Sequence, residues 1–459
     1  MDLRGELKAR APMRAAAGSF VGGMMEWYDF IIYGTAATLA VKLLLPAANP
    51  AAGTMLALAT FGLAFVARPL GGVLFGYVGD RYGRRPTLLA TLALMGASTV
   101  AIGLLPTSAT LAGWSIGLLV VLRLSQGLAI GGELGAAAAL AVESAPPARR
   151  GLFGAFAISG ACAGTALGSG VSALVLLLPP GDFAAWGWRV PFLLGAVVVV
   201  VGIRVRRGVA EPDIFVVARR ERPRHERPPL VEVLRRYRSR VALVAAVYSA
   251  GIVSFYLVTV YSLAYAKANL AVPVASRILT AVMVATLLNV VMTLVWGALS
   301  DRIGRRPVVV TGSVMQAVCV FGFFAVLPSG DPGPIIAATV ATLCLGQAAI
   351  VGVAPAYFAE MFPTRLRVTG ISTGIGIAAI VGGATPLAAS TAVGVGDAWV
   401  IIALVCAALC AIAGIAVLAT DRGNLALSSL LSDGAAEEID ASASTGRIGL
   451  DSTQESQTP

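Results

Sequence analysis

Two stretches of the chain repeat one another: GYVGDRYGRRP at residues 76–86 and GALSDRIGRRP at residues 297–307, an offset of 221 positions. Asp, Arg, Gly, Arg, Arg and Pro coincide from Asp80 and Asp301 onward. A second pair stands at an offset of 217, where Glu143, Pro146 and Arg150 return as Glu360, Pro363 and Arg367. Two independent matches in the same order mark an internal duplication. Both copies of the first motif lie where one long apolar run ends and the next begins, so the duplicated unit is made of such runs.

Outward from these loops, twelve runs are long enough to cross a bilayer, which takes about 20 residues at about 1.5 Å each. They cover residues 15–45, 54–79, 87–105, 113–141, 151–178, 186–204, 241–266, 276–299, 307–328, 334–359, 370–392 and 397–419, with ends that hydropathy places only to within several residues. Of 459 residues, 57% are hydrophobic and 13% charged, so lipid must be the solvent. Hydrocarbon tolerates no unpaired backbone polar group, which turns each run into a helix. The expectation is an all-α membrane protein of 12 transmembrane helices, in two six-helix halves related by a repeat. Residues 1–204 form the first half and 241–420 the second. Residues 205–240, strongly basic and containing four prolines, form a linker, and the tail 421–459 reads as disordered.

The basic residues set an orientation. With the N-terminus inside, 28 of the 34 Lys and Arg residues fall in cytoplasmic segments, and only Arg189, Lys267 and Arg277 fall in external loops. Both termini and the linker are therefore expected in the cytoplasm, on the inner face of the cell membrane. The net charge of +10 records topology and not a nucleic-acid footprint, since there is no basic soluble domain to carry one. The basic N-terminus leads into an apolar run too long for a cleaved signal peptide. Cys162, Cys319, Cys344, Cys406 and Cys410 all lie in apolar runs, which implies packing and neither disulfides nor a metal site. His225, among arginines and prolines, reads as a solvated loop position. No nucleophile set, phosphate-cradling loop or metal-ligand spacing is present, so an enzyme is not expected, and neither metal nor cofactor is implied.

GYVGDRYGRRP and GALSDRIGRRP resemble the loop signature of the major facilitator superfamily, and RLSQGLAIGGE at 123–133 resembles its Arg-x-x-Gln-Gly motif. MEWYDFIIYG at 25–34, ARPLGG at 67–72 and GWRVPFLLG at 187–195 narrow the resemblance to the metabolite:proton symporters. That family includes carriers of shikimate, 2-oxoglutarate, citrate, and proline or betaine. The resemblance implies alternating access, a site between the halves near the midplane, and a monomer whose partners are a small substrate, a proton and the bilayer. An organic acid is the first expectation and a proline- or betaine-type osmolyte the second. A drug:proton antiporter on the same fold is disfavoured because FAISGACAGTALGSG, at 156–170, lacks the Gly-Pro step typical of that class.

Ionisable side chains cost about 2.5–3.5 kcal/mol each at the centre of a membrane helix, so those present there pair or line a polar cavity. Glu26, Asp29 and Tyr33 share one helical face. Glu26 and Arg68 both fall about 16–18 Å from the cytoplasmic end of their runs, and Glu133 about 15 Å. Asp29, Glu26, Arg68, Glu133 and Arg123 are thus the candidates for proton coupling, with Arg68 the expected partner of the carboxylates. Arg123, where the resembling motif is associated with coupling, could equally bind a substrate carboxylate. Tyr33, Gln126, Tyr256, Asn289 and Gln347 supply neutral polarity toward a substrate. Asp80, Arg81, Gly83, Arg84 and Arg85, their repeats Asp301, Arg302, Gly304, Arg305 and Arg306, and Glu143, Arg150, Glu360 and Arg367 are the candidates for a cytoplasmic gate. Gly160, Gly164 and Gly168, like Gly370 and Gly374, recur every four residues as helix-packing faces do.

Overall fold

The computed structural model describes residues 3–39, 50–106, 114–220, 228–269, 272–390 and 398–420. The proposed disordered tail and His225 lie outside them. Among the described residues every regular element is helical. The first six long helices are α1 (Leu3–Leu39), α2 (Pro50–Arg81), α3 (Arg84–Gly103), α4 (Trp114–Ser144), α5 (Arg150–Val175) and α6 (Val190–Arg207). The second six are α7 (Arg238–Tyr261), α8 (Val272–Ile303), α9 (Arg305–Val326), α10 (Pro332–Ala359), α11 (Arg367–Ser390) and α12 (Ala398–Ala419). Among the described residues, eleven of these are long and apolar enough to cross a membrane on composition. The remaining one, α1, carries Glu26 and Asp29, and it begins at Leu3, well before the expected residue 15.

Within the first half α1 packs on α5 and α6, and α4 on α2 and α3; within the second, α9 and α7 both pack on α12, and α8 on α10. Two seams join the halves. α2 lies along α11 and α5 along α8, contacts that exchange under a two-fold relating helix n to helix n+6. Small residues let the backbones approach: a Cβ on Gly72 or Gly76 would come within 2.9 Å of Ser372 or Thr369, and one on Gly151 within 2.4 Å of the Gly297 carbonyl. The Gly160 and Gly164 face serves α1, where added Cβ atoms would meet the Phe20 and Met24 carbonyls at 1.9 and 2.1 Å.

Two helices are not regular. α7 passes through a π-helical turn at Leu257–Tyr261 before Ser262–Asn269 continues it, and α10 contains a π-helical stretch at Ala341–Gln347. The described part of the linker holds two short helices, Asp213–Arg220 and Pro229–Arg236. These lie at the end of the molecule that bears both motif loops, called the loop face below.

Candidate functional site

At the loop face each motif aspartate reaches across to the other half. Asp80, at the end of α2, accepts the backbone N–H groups of Val368 (3.0 Å) and Thr369 (2.8 Å) at the start of α11. Asp301, at the end of α8, accepts those of Gly151 (2.7 Å) and Leu152 (2.9 Å) at the start of α5. A helix start offers unpaired N–H donors and a partial positive charge, so a carboxylate is favoured there. The loops turn at Gly83 (φ 127°) and Gly304 (φ 94°), in the region of backbone space that excludes side chains with a Cβ.

The charges behind the aspartates are unequal. Arg84 is fully buried and forms a two-pronged bond to Glu143 (2.9 Å each), with further bonds to the Gly79 and Thr364 carbonyls. Glu143 also accepts Arg367 from the other half. Arg305 meets Glu360 (3.0 Å) and Asp301 (2.7 Å), but its side chain is 12% exposed. Arg150, the repeat of Arg367, makes no direct ion pair among the described residues. Arg81 and Arg302 are exposed, Arg306 is half-buried, and Arg85 donates to the Arg207 carbonyl.

The linker completes the first copy. Glu211 accepts the N–H groups of Arg84 and Arg85 at the start of α3, and Phe215 lies 4.1 Å beneath the Arg84 guanidinium. Burial raises the Glu211 carboxyl above its ordinary range, against those two bonds. Glu232 forms an ion pair with Arg365. None of these was singled out in the sequence. Glu211 carried the one available signal, an acid beside a proline where a basic linker begins.

Deeper in the first half the three carboxylates each take a different arginine. Asp29 is fully buried; its Oδ1 accepts Thr99 (2.6 Å) and Gln126 (2.7 Å), and its Oδ2 faces Arg123 at 3.7 Å without a hydrogen bond. Arg123 donates to Gln126 (2.7 Å) and stacks 3.5 Å over the Tyr33 ring, whose hydroxyl meets Thr60. The partner of Asp29 is therefore Arg123 and not the expected Arg68. Arg68 lies 3.8 Å from Glu26 and over Phe65. Glu133 departs from the expected cluster: Arg206 and Thr91 bond it. Rise per residue speaks of depth but says nothing of direction around the helix, and Arg206 stood unnoticed in a run of topological arginines.

Between the halves lies a small cavity of about 40 Å³. Trp27, Cys162 and Thr165 line it from α1 and α5, and Tyr248, Phe255, Thr286, Asn289 and Gln347 from α7, α8 and α10. Asn289 donates to Gln347 (3.0 Å), leaving the Asn289 Oδ1 and Thr286 Oγ1 without partners. Tyr33, Arg123, Gln126 and Tyr256, expected toward a substrate, are not among the cavity's lining residues. The first three are turned inward around Asp29, and Tyr256 packs between Phe30 and Phe65. Cys162, read as packing, lines the cavity.

A family model described as "Sugar (and other) transporter" matches residues 15–227, and the Major Facilitator Superfamily model matches residues 269–437. A shikimate transporter of Escherichia coli (strain K12) is 36% identical, over 84% of this chain and 89% of that protein. A proline/betaine transporter of the same strain is 32% identical, over 82% of this chain and 77% of that one. The solved structure of the proton:xylose symporter XylE, bound to 6-bromo-6-deoxy-D-glucose, superposes with a TM-score of 0.72 at 14% identity, covering 89% of this chain and 95% of the other.

Proposed function

The chain belongs to the major facilitator superfamily, and from that premise we propose that it imports a small polar metabolite together with a proton. As a multi-pass membrane transporter it requires a substrate path and an energy source, and the structure holds a candidate for each in separate places. That segregation carries the proposal: the Asp29–Arg123 pair is enclosed within one half, while the cavity between the halves is lined by neutral side chains.

A carboxylate that must bind and release a proton needs a partner whose distance can change. Arg123 at 3.7 Å, joined to Asp29 through Gln126, is such a partner, and Glu26 with Arg68 sits one turn away on the same helix. When α1 shifts against α4 within the first half as the halves rock, a longer Asp29–Arg123 distance strengthens proton binding and a shorter one releases the proton. The loop face, taken as cytoplasmic from its basic residues, is closed by the reciprocal bonds of Asp80 and Asp301, which open to release substrate inward. Both termini lie on that side, and the carrier acts as a monomer.

The cavity lining also bears on the substrate. No Lys, Arg, Asp or Glu is among the lining residues, so a di- or tricarboxylate would enter without a counter-charge. Asn289, Gln347, Thr286 and Thr165 can hydrogen-bond hydroxyl or single carboxylate groups, which favours a hydroxylated monocarboxylate, the chemistry of the shikimate named for one relative. The rings of Trp27, Tyr248 and Phe255 support a second reading, a zwitterion with a quaternary ammonium held by cation–π contact. Uptake by purified protein in proteoliposomes, driven only by a pH gradient and tested with shikimate, betaine and citrate, decides between them. Accumulation of the first or second is expected; accumulation of citrate alone would overturn the reading of the cavity, and indifference to the pH gradient would overturn coupling.

A further inference from the structure

The Glu133–Arg206 pair takes no part in that scheme, yet it is satisfied from every side. Arg206 occupies the last turn of α6 and is 1% exposed. Its Nε donates to the Gly18 carbonyl of α1 (3.1 Å), its Nη1 to the Leu88 carbonyl of α3, and both Nη atoms to Glu133 of α4. Thr91 of α3 donates to the same carboxylate. Four helices of one half meet at a single guanidinium.

Over the pair lies Gly22 of α1. A Cβ there would stand 1.7 Å from Arg206 Nη2 and 2.1 Å from Glu133 Oε1, so α1 is seated on the ion pair through a missing side chain. Glu26 follows Gly22 by one helical turn and Asp29 by two, on the same face. A buried ion pair is seldom retained for stability, because well-packed apolar residues serve as well; what it adds is a fixed arrangement. We propose that the Arg206–Glu133 pair is a positioning element, setting the height and rotation of α1 and with them the approach of Asp29 to Arg123, Gln126 and Thr99. The proposal rests on the reading of Asp29 as the proton site.

The surroundings of Asp29 make that approach consequential. Arg123 and Gln126 face it from α4, Thr99 from α3 and Arg68 from α2, with Glu26 and Tyr33 on α1 itself. The neighbours from α5 and α6 at this level are uncharged: Gly168 and Gly195 beside Tyr28, and Phe192 against Tyr33. A small displacement of α1 therefore changes the distance to Arg123 with no other cation of α5 or α6 to compensate.

Gly22→Ala tests this directly, since it keeps both charges and displaces their seat. Arg206→Lys keeps the charge and loses the fork. Thr91→Val removes one bond to Glu133 and is the mildest of the three. Uptake against pH and counterflow exchange are measured in proteoliposomes and normalised to folded protein, with Asp29→Asn alongside. Gly22→Ala and Arg206→Lys are expected to move the pH of half-maximal uptake by about one unit and to lower pH-driven accumulation about tenfold while exchange is largely kept. Thr91→Val moves it in the same direction by less. Wild-type pH profiles in the variants that fold, with uptake and exchange falling together, would overturn the positioning role. Should Asp29→Asn itself still accumulate substrate, the proton-site reading fails first and this inference with it. If Asp29→Asn is inactive while the three variants keep the wild-type profile, only the inference fails.

Discussion

The two copies of the loop motif make the same backbone joint and surround it differently. Asp80 and Asp301 each take two N–H groups from a helix of the opposite half. Behind Asp80, however, Arg84 is enclosed by Glu143, the Thr364 carbonyl, Phe215 and the Glu211 cap, and Glu143 receives a second arginine from across the seam. Behind Asp301, Arg305 has Glu360 and stands partly exposed. Duplication thus supplied a symmetric hinge, and the linker, which lies after only one copy, made the first joint the tighter. The same inequality runs deeper: α1 carries carboxylates, while the α7 residues facing the cavity are Tyr248, Ile252 and Phe255.

The largest effect that would break this contrast is expected at Asp29. Asp29→Asn should abolish accumulation driven by a pH gradient and spare counterflow exchange, measured in proteoliposomes at equal folded protein; retained accumulation would move coupling out of this pair. Next, Glu143→Gln takes the shared carboxylate from two buried arginines, leaving Arg84 with Asp80 at 3.6 Å, and should cost about 3–5 kcal/mol of stability, whereas Glu360→Gln, at a partly exposed pair, should cost about 1 kcal/mol or less. Thermal unfolding in detergent ranks them, and equal losses would erase the difference between the joints.

The aspartates come third. Asp80→Asn removes a charge from a helix start, worth up to about 2 kcal/mol in a partly buried setting, and should open the loop face more often than Asp301→Asn. Cys162 lines the cavity and reports this natively: its labelling by an impermeant thiol reagent applied to the loop face should rise more in Asp80→Asn. The reverse order would make the exposed joint the governing one. Smallest is Asn289→Ala, which removes one hydrogen-bonding group from the cavity and should raise KM for uptake about tenfold, the weight of one such bond; an unchanged KM would place the substrate elsewhere.

Sequence reading reached some of these features and not others, for physical reasons. Helices were legible because hydrocarbon permits no other backbone, α1 among them despite Glu26 and Asp29, the residues that make it interesting. The Glu26–Arg68 pairing was legible because 1.5 Å per residue converts position into depth. Azimuth was not, so Glu133 was grouped with the wrong arginine and Tyr33, Arg123 and Gln126 were turned toward the wrong space. Arg206, Glu211 and Phe215 were hidden by composition, since one buried arginine in a basic segment looks like its neighbours. Trp27 and Phe255 were hidden likewise, as aromatic rings in apolar runs read as packing until a cavity appears beside them.

The crossed bonds at the loop face also give the protein a clock. The amides of Val368, Thr369, Gly151 and Leu152 each donate to an aspartate of the opposite half, so a parting of the halves would bare them to water. Their deuterium uptake therefore counts openings, one pair for each seam. Divergent rates for the two pairs would mean that the halves peel apart from one edge, and matched rates that they part as a single rigid stroke.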